Sequence, residues 1–251
     1  MSLHRFFCEE PLPESDGALP LVEADIHHLR DVLRLSSGDE IVVVAAGAAR
    51  VVRLTHVGEA VSGVVLAEVP GPALPRVTLV QALVKGEKMD TIIRQTTELG
   101  VTRVVPFAAE RSVVRLDAAK VEARVARWRR VAAEAAKQSQ RTDIPEVTTP
   151  VPGAEAPGVL AADVVLVCWE EEGAAPGIGE ALSAAGAGAG TSVAVIVGPE
   201  GGLTAGEVSH FRSGGARVVS LGPTVLRTET AGVVATALAL YDLGGLGARH
   251  E

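Results

Sequence analysis

TSVAVIVGPEGGLTAGEV (residues 191–208) decides the fold class: an apolar run ends abruptly at a glycine-rich turn, and a helix start follows at once. Val193–Val197 shows no polar alternation, so it reads as a strand covered on both faces, as in parallel sheets layered between helices. Thr204 with Glu207 three residues later forms a capping box that opens a helix. The same plan recurs in ARVVSLGPTVLRTETA (216–231), where an apolar run again stops at Gly-Pro and charged residues crowd the next helix entrance. Ligands of open α/β sheets sit beyond the carboxyl ends of the strands, so two such ends read as two walls of one site.

GPEGG alone would serve equally well as an ordinary strand-to-helix link, and no Gly-Lys-Ser/Thr follows to make a P-loop. Arg227 tips the balance. It stands at a helix N-terminus, where the dipole disfavours a cation and where arginine has no capping use.

Working outward, RVTLVQALV (76–84), the amphipathic KMDTIIRQTTELG (88–100) and VTRVVPFAA (101–109) form a β-α-β unit, with Gly100 closing its helix. A helix over about 118–140, strands at 163–169 and 216–221, and a final helix over about 229–242 complete the pattern. That last helix is apolar on nearly every side, which predicts burial. The Gly-x-Gly of SAAGAGAGT (183–191) precedes a strand instead of following one, so it reads as a loop and not as a dinucleotide fingerprint. Residues 1–72 differ: Val-rich runs at 40–47, 49–58 and 61–70, separated by glycine turns, follow a short helix in EADIHHLRDVLRLSSGDE. VPGPALP (69–75) is the linker. The expected organisation is a β domain over 1–72 and an α/β domain with a mostly parallel sheet over 73–251.

Of the 251 residues 47% are hydrophobic and only 3% aromatic, so the core must be built from Val, Leu, Ile and Ala. Cys8 and Cys168 make neither a disulfide framework nor a zinc site, which favours a reducing compartment. The N-terminus turns acidic and proline-rich where a signal peptide needs an apolar stretch, and no apolar run reaches the roughly 20 residues of a membrane helix. A soluble cytoplasmic protein is expected. The net charge of −8 hides an asymmetry: residues 111–141 carry nine Lys or Arg against Asp117, Glu122 and Glu134, a local +6 that leaves −14 elsewhere. On a helical wheel Val121, Val125, Trp128, Ala132 and Ala135 share one side, and Lys120, Arg124, Arg127, Arg130 and Lys137 the other. With few acids in i,i+4 positions, this face fits phosphate, against the alternative of a solvated surface.

KGEKMDTIIRQTTELGV, ERSVVR, AAEAAKQSQR, IVGPEGGLTAGEV and LGPTVLRTETA occur in this order, with LHRFF and HHLRDVLRLSSGDE before them. Together they resemble the bacterial 16S ribosomal RNA uridine-N3 methyltransferases of the SPOUT superclass, over nearly the whole chain. The resemblance implies a PUA-like RNA-binding β-barrel over 1–72, then a methyltransferase domain with a deep trefoil knot. It also implies S-adenosylmethionine as cofactor, a homodimer, and as target the uridine conventionally numbered 1498 in the small ribosomal subunit.

Carried onto this sequence, the cofactor would lie against Val197, Gly198, Pro199, Gly201, Leu221, Gly222, Val225, Leu226 and Thr230. Gly198 and Gly222 would admit it for want of a Cβ. Arg227 would stabilise the developing uracil anion, with Glu200 and Glu229 as alternative acidic groups for base or positioning. Arg5 would hold the uridine or a nearby phosphate. Arg34, Lys85, Lys88, Arg111, Arg124, Arg127 and Arg130 would face RNA. Methyl transfer from a sulfonium calls for no metal. Two rivals are a transfer-RNA methylating relative, against which VLRTETA stands in place of an Asn-containing signature, and a non-catalytic RNA-binding assembly protein.

Overall fold

The computed structural model describes residues 3–8, 10–45, 47–71, 74–112, 118–153, 155–156, 161–171 and 173–247. Pro72 and Ala73 of the linker, Arg115 of the basic segment and the tail from residue 248 lie outside these. The chain divides into two compact units, one of residues 1–72 with 136–143, the other of residues 73–135 with 144–251.

In the first unit five strands pair in the order β1 (Arg5–Cys8), β3 (Glu40–Ala45), β4 (Ala48–Val57), β5 (Val61–Val69), β2 (Gly17–Ala18). Only β1 and β3 run parallel. The strand period of two is visible in β3: Ile41 and Val43 join Phe6, Leu29, Val52 and Leu54 in the main core, whereas Val42 and Val44 pack with Ala49 on the other face. Helix α1 (Glu23–His27) widens into a π turn over His28–Val32, and this drops Leu29 into the core at full burial. The turn ends on Arg34, whose φ of 55° is left-handed, while the Leu35 amide reaches back to the Leu29 carbonyl at 3.0 Å. That is a glycine's place at a helix end. An exposed arginine occupies it, its side chain without a partner among the described residues.

The second unit is a parallel sheet in the order β12 (Arg217–Val219), β10 (Val164–Cys168), β11 (Val193–Val197), β6 (Val77–Ala82), β7 (Arg103–Ala108), β8 (Glu146–Val147), with β9 (Val151–Pro152) also on β7. Alternate residues of each strand feed two apolar layers. Leu79, Val193 and Val195 pack with α2 (Lys88–Leu99), α3 (Ala118–Gln138), α4 (Ile178–Ala184) and α6 (Thr228–Asp242). Val80, Ala194 and Ile196 pack with Val208 and Phe211 of α5 (Ala205–Ser213). Chain direction across the sheet switches between β6 and β11.

Local signals act as expected at several ends. Gly100 closes α2 at φ 116°, and Thr204 and Glu207 exchange both bonds of a capping box. The expected burial of the last helix needs correction. α6 buries one face through Ala231, Gly232, Ala235, Ala239 and Leu240, but leaves Leu238 and Tyr241 exposed. An all-apolar pattern cannot tell a core face from a face that awaits another surface.

Arg34→Gly removes a left-handed strain that costs an L-residue roughly 1–2 kcal/mol, partly offset by glycine's greater chain entropy. The variant is expected to unfold at a higher urea midpoint with an unchanged slope. A lower midpoint would mean that the arginine side chain supports the turn.

Candidate active site

Because the strands of the second sheet run one way, their carboxyl ends share one edge. There a cavity of about 490 Å³ is walled by three segments: Cys168–Glu170 after β10, Val197–Glu200 with Gly202 after β11, and Ser220–Arg227 after β12. The start of α6 (Thr228, Glu229, Ala231) and Lys88 of α2 complete it.

Lys88 carries the electrostatics. Its Nζ lies 3.1 Å from Glu200 Oε1 and 3.2 Å from Glu229 Oε2, so one ammonium bridges both loops. The two carboxylates, Glu200 first, raise the Lys88 pKa. Burial pushes the Glu200 carboxyl up, but its own backbone N–H, the Lys88 ammonium and the Lys85 amide outweigh it and leave the group below its ordinary value. Glu229 is lowered by its own backbone N–H, against burial, and then by Lys88, with help from the Arg227 charge. Both acids are therefore ionised at neutral pH and are weak bases. Arg227 occupies the N-cap of α6 without a capping bond, exposed at the cavity and with no side-chain hydrogen bond or ion pair among the described residues, its electrostatic partner being Glu229. Burial, then the nearby Glu170, pushes the Cys168 thiol to about 12, so it stays protonated and is no nucleophile.

The turn after β11 is braced from behind by the capping box. Glu207 Oε1 also accepts the Glu110 amide at 2.8 Å, which ties the loop after β7 to α5. Arg111 on that loop then donates to the Gly201 carbonyl at 3.1 Å. Gly202 takes a φ of 70°, which favours glycine, and a Cβ there would meet only the movable end of the Glu170 side chain, at 2.7 Å from Oε1.

Of the nine residues expected to hold a cofactor, Val197, Gly198, Pro199, Leu221, Gly222, Val225 and Leu226 line the cavity; Gly201 and Thr230 do not. For both glycines the fold supplies a reason of its own beside the expected clearance for a cofactor. A Cβ on Gly198 would meet Leu203 and Gly202 within its own turn at 3.0–3.4 Å, and Gly222 is required by its φ of 120°, with open space where a Cβ would stand. Sequence reasoning missed Cys168, Trp169, Glu170, Gly202 and Thr228. A residue following an apolar strand carries no distinguishing pattern, although Gln81, a lone amide within VTLVQALV, was a signal that something polar lies behind β6.

The expected RNA-facing cations divide. Lys88 is bound by the two carboxylates. Arg127 pairs with Asp90, which is 7% exposed, and with Glu87 at 3.3 Å. The acids missing from its own helix come from α2, so Arg127 is a strut between helices and not a free charge. Arg130 lies 4.0 Å from Glu134 Oε1. In the first unit Arg5 donates to the carbonyls of Gln140 and Arg141 at 2.6 and 2.7 Å, which holds the left-handed turn at Gln140 (φ 59°). Lys85, Arg34 and Arg124 are exposed, and no side-chain partner occupies them among the described residues. Among the described residues no cluster of three or more His, Cys, Asp or Glu is arranged to hold a metal, and no helix is long and apolar enough to cross a membrane.

With this geometry in view, the chain was compared with known proteins. The family described as RNA methyltransferase domain matches residues 72–240. Over 239 residues the chain is 35% identical to the ribosomal RNA small subunit methyltransferase E of Mycobacterium bovis, covering 91% of this chain and 88% of that protein. It belongs to the ribosomal RNA small subunit methyltransferase E family. The Bacillus subtilis member is 32% identical over 248 residues, covering 96% and 97% of the two chains. A family member from Neisseria gonorrhoeae, solved bound to S-adenosyl methionine, superposes with a TM-score of 0.81 at 29% identity, over 94% of this chain and 96% of that one. The family match spans every segment that lines the cavity.

Two outcomes follow for the paired charges. A carboxyl held below its ordinary 4.5 contributes stability that is complete above that value and is lost as pH falls through the lowered one. Lys88→Met should therefore be less stable than wild type above about pH 5, and the two should converge in more acidic solution; parallel urea titrations from pH 3 to 7 measure this. A constant difference would show that the bridge does not set these pKa values. Separately, Arg127→Gln strands the buried Asp90 charge and should lower the melting temperature by several degrees, whereas Arg124→Gln should leave it within about one degree.

Proposed function

We propose that this chain methylates N3 of a uridine in 16S ribosomal RNA, the one conventionally numbered 1498, using S-adenosylmethionine in the cytoplasm. The observation that carries the reading is the cavity itself: two Gly-Pro strand ends and an unpaired Arg227 converge on it in a chain of this family. Its volume falls within the roughly 300–1,000 Å³ usual for small-molecule sites. Leu221, Val225, Leu226 and Ala231 supply apolar surface suited to an adenine. Three acids (Glu170, Glu200, Glu229) against two cations (Lys88, Arg227) suit a ligand that brings positive charge. When bound, that cofactor supplies an electrophilic methyl group.

The chain's task is the nucleophile. Uracil N3 must lose its proton, and a pKa about two units above neutral makes this cost on the order of 3 kcal/mol. Arg227, held in no ion pair among the described residues, is the cation that could stabilise the resulting anion, the more so once bound substrate displaces water around it. Glu200 and Glu229, ionised and held by Lys88, orient and balance charge in preference to accepting the proton. This narrows the role expected for them.

The strand order β12-β10-β11-β6-β7 supports a knotted SPOUT domain, since the chain must return from the edge strand to lay α6 across β6, β11 and α2. The first unit's five-stranded sheet is compatible with a PUA-like RNA-binding barrel. Leu238 and Tyr241, exposed on α6, support a homodimer built on that helix. Arg34, Lys85 and Arg124 are the free cations best placed to meet RNA phosphates, with Arg111 at the loop rim.

Arg227→Ala should reduce kcat by about 10²–10³, with a much smaller change in cofactor affinity, because the charge it meets develops in the transition state. Raising the pH should restore part of the rate as uracil ionises unaided. Normal turnover with weakened cofactor binding would contradict the assignment. Arg124→Gln should flatten the salt dependence of RNA binding by about 0.7–0.9, one phosphate's worth, measured by fluorescence anisotropy.

A further inference from the structure

Gln81 is a fully buried amide in an apolar strand, at the switch point between β6 and β11. Its Nε2 donates to the Ala82 carbonyl at 3.2 Å and to Thr228 Oγ1 at 3.0 Å. Thr228 Oγ1 lies 2.6 Å from the Gly198 carbonyl. Chemistry fixes every direction in this chain. A carbonyl only accepts, so the single hydroxyl proton of Thr228 goes to Gly198, and the group behind it must be a donor. The same reasoning fixes the orientation of the Gln81 amide, since its oxygen in place of Nε2 would face the Ala82 carbonyl and a hydroxyl with no proton left. The Gln81 Oε1 points instead toward Gly232, one turn along α6, where a Cβ would lie 2.7 Å from it.

One hydroxyl therefore joins the sheet to the loops after β11 and β12. Thr228 stands between Arg227 and Glu229 at the end of the loop after β12; Gly198 begins the turn that carries Pro199 and Glu200. Lys88 ties the same two loops at a second point, through Glu200 and Glu229. Two separate tethers restrain rotation as well as distance. We infer that Thr228, backed by Gln81, is the positioning residue of this site, holding the cofactor loop and Arg227 in one frame so that methyl donor and anion-stabilising charge stay in register. The inference rests on the methyl-transfer reading above.

Thr228→Val keeps the shape and removes the hydroxyl, whereas Thr228→Ser keeps the hydroxyl. Calorimetric titration with S-adenosylmethionine, and methylation of small-subunit RNA at saturating cofactor, are to be run well below each variant's melting temperature. The valine variant is expected to raise Kd and lower kcat, each by about tenfold or more, with serine within about threefold of wild type in both. Gln81→Met, which removes the donor behind the hydroxyl, should weaken cofactor binding by about three- to fivefold. It decides the matter if the valine variant does not fold: a Kd within about twofold of wild type then overturns the inference. A valine variant that melts lower yet binds and turns over like wild type makes the hydroxyl merely structural, and also overturns it. Wild-type protein that binds no cofactor would sink the methyl-transfer reading and this inference together; binding by wild type and valine variant alike would sink the inference alone.

Discussion

All strands of the larger sheet run in one direction, and most of the site's properties follow from that constraint. Parallel strands must deliver their outgoing loops to a single edge, so the ends of β10, β11 and β12 meet although 50 residues of chain separate Cys168 from Val219. They must also be covered on both faces, which explains the unbroken Val runs and the two apolar layers. With the backbone of the inner strands satisfied by their neighbours, the loops are left to find other partners. They find them in Thr228, Lys88 and the capping box at Thr204 and Glu207.

Charge in this chain is spent internally more than its composition suggests. The basic segment looks like an open phosphate-binding face in sequence, yet Arg127 braces α2 through Asp90, Lys137 meets Asp25 at 2.8 Å, Arg129 donates to the Val147 carbonyl and Arg141 meets Asp143. Among the described residues, the cations left without an ion pair include Arg124 and Lys120 on α3, Lys85 beside the site, Arg34 on its strained turn and Arg227 at the cavity. An arginine kept in a glycine's position and another kept against a helix dipole both carry a conformational or electrostatic cost.

How much of this could be read from sequence depended on how local the cause was. Strand runs, the capping box and the Gly100 helix end depend on a few neighbouring residues, and they stand where the pattern puts them. The pairs β8 and β9 are only two residues long, and α4 begins among glycines and prolines that read as loop, so neither announced itself. The contacts that tie the cavity loops together were invisible for another reason. Lys88 and Glu200 are 112 residues apart, and Gln81 and Thr228 are 147 apart. No period or motif encodes such a contact. Lys88 read as a phosphate ligand because its partners were out of view.

Base chemistry is the centre of the account: a cavity that carries a cation for a developing uracil anion should direct the methyl group to a ring nitrogen. Its most direct measurement is the identity of the methylated nucleoside. Small-subunit RNA lacking the modification, incubated with the purified protein and labelled S-adenosylmethionine, is digested to nucleosides and separated by chromatography with mass detection. Label recovered as N3-methyluridine is the predicted result. Label in a 2′-O-methyl nucleoside or in another base, or RNA bound without any label transferred, would contradict it.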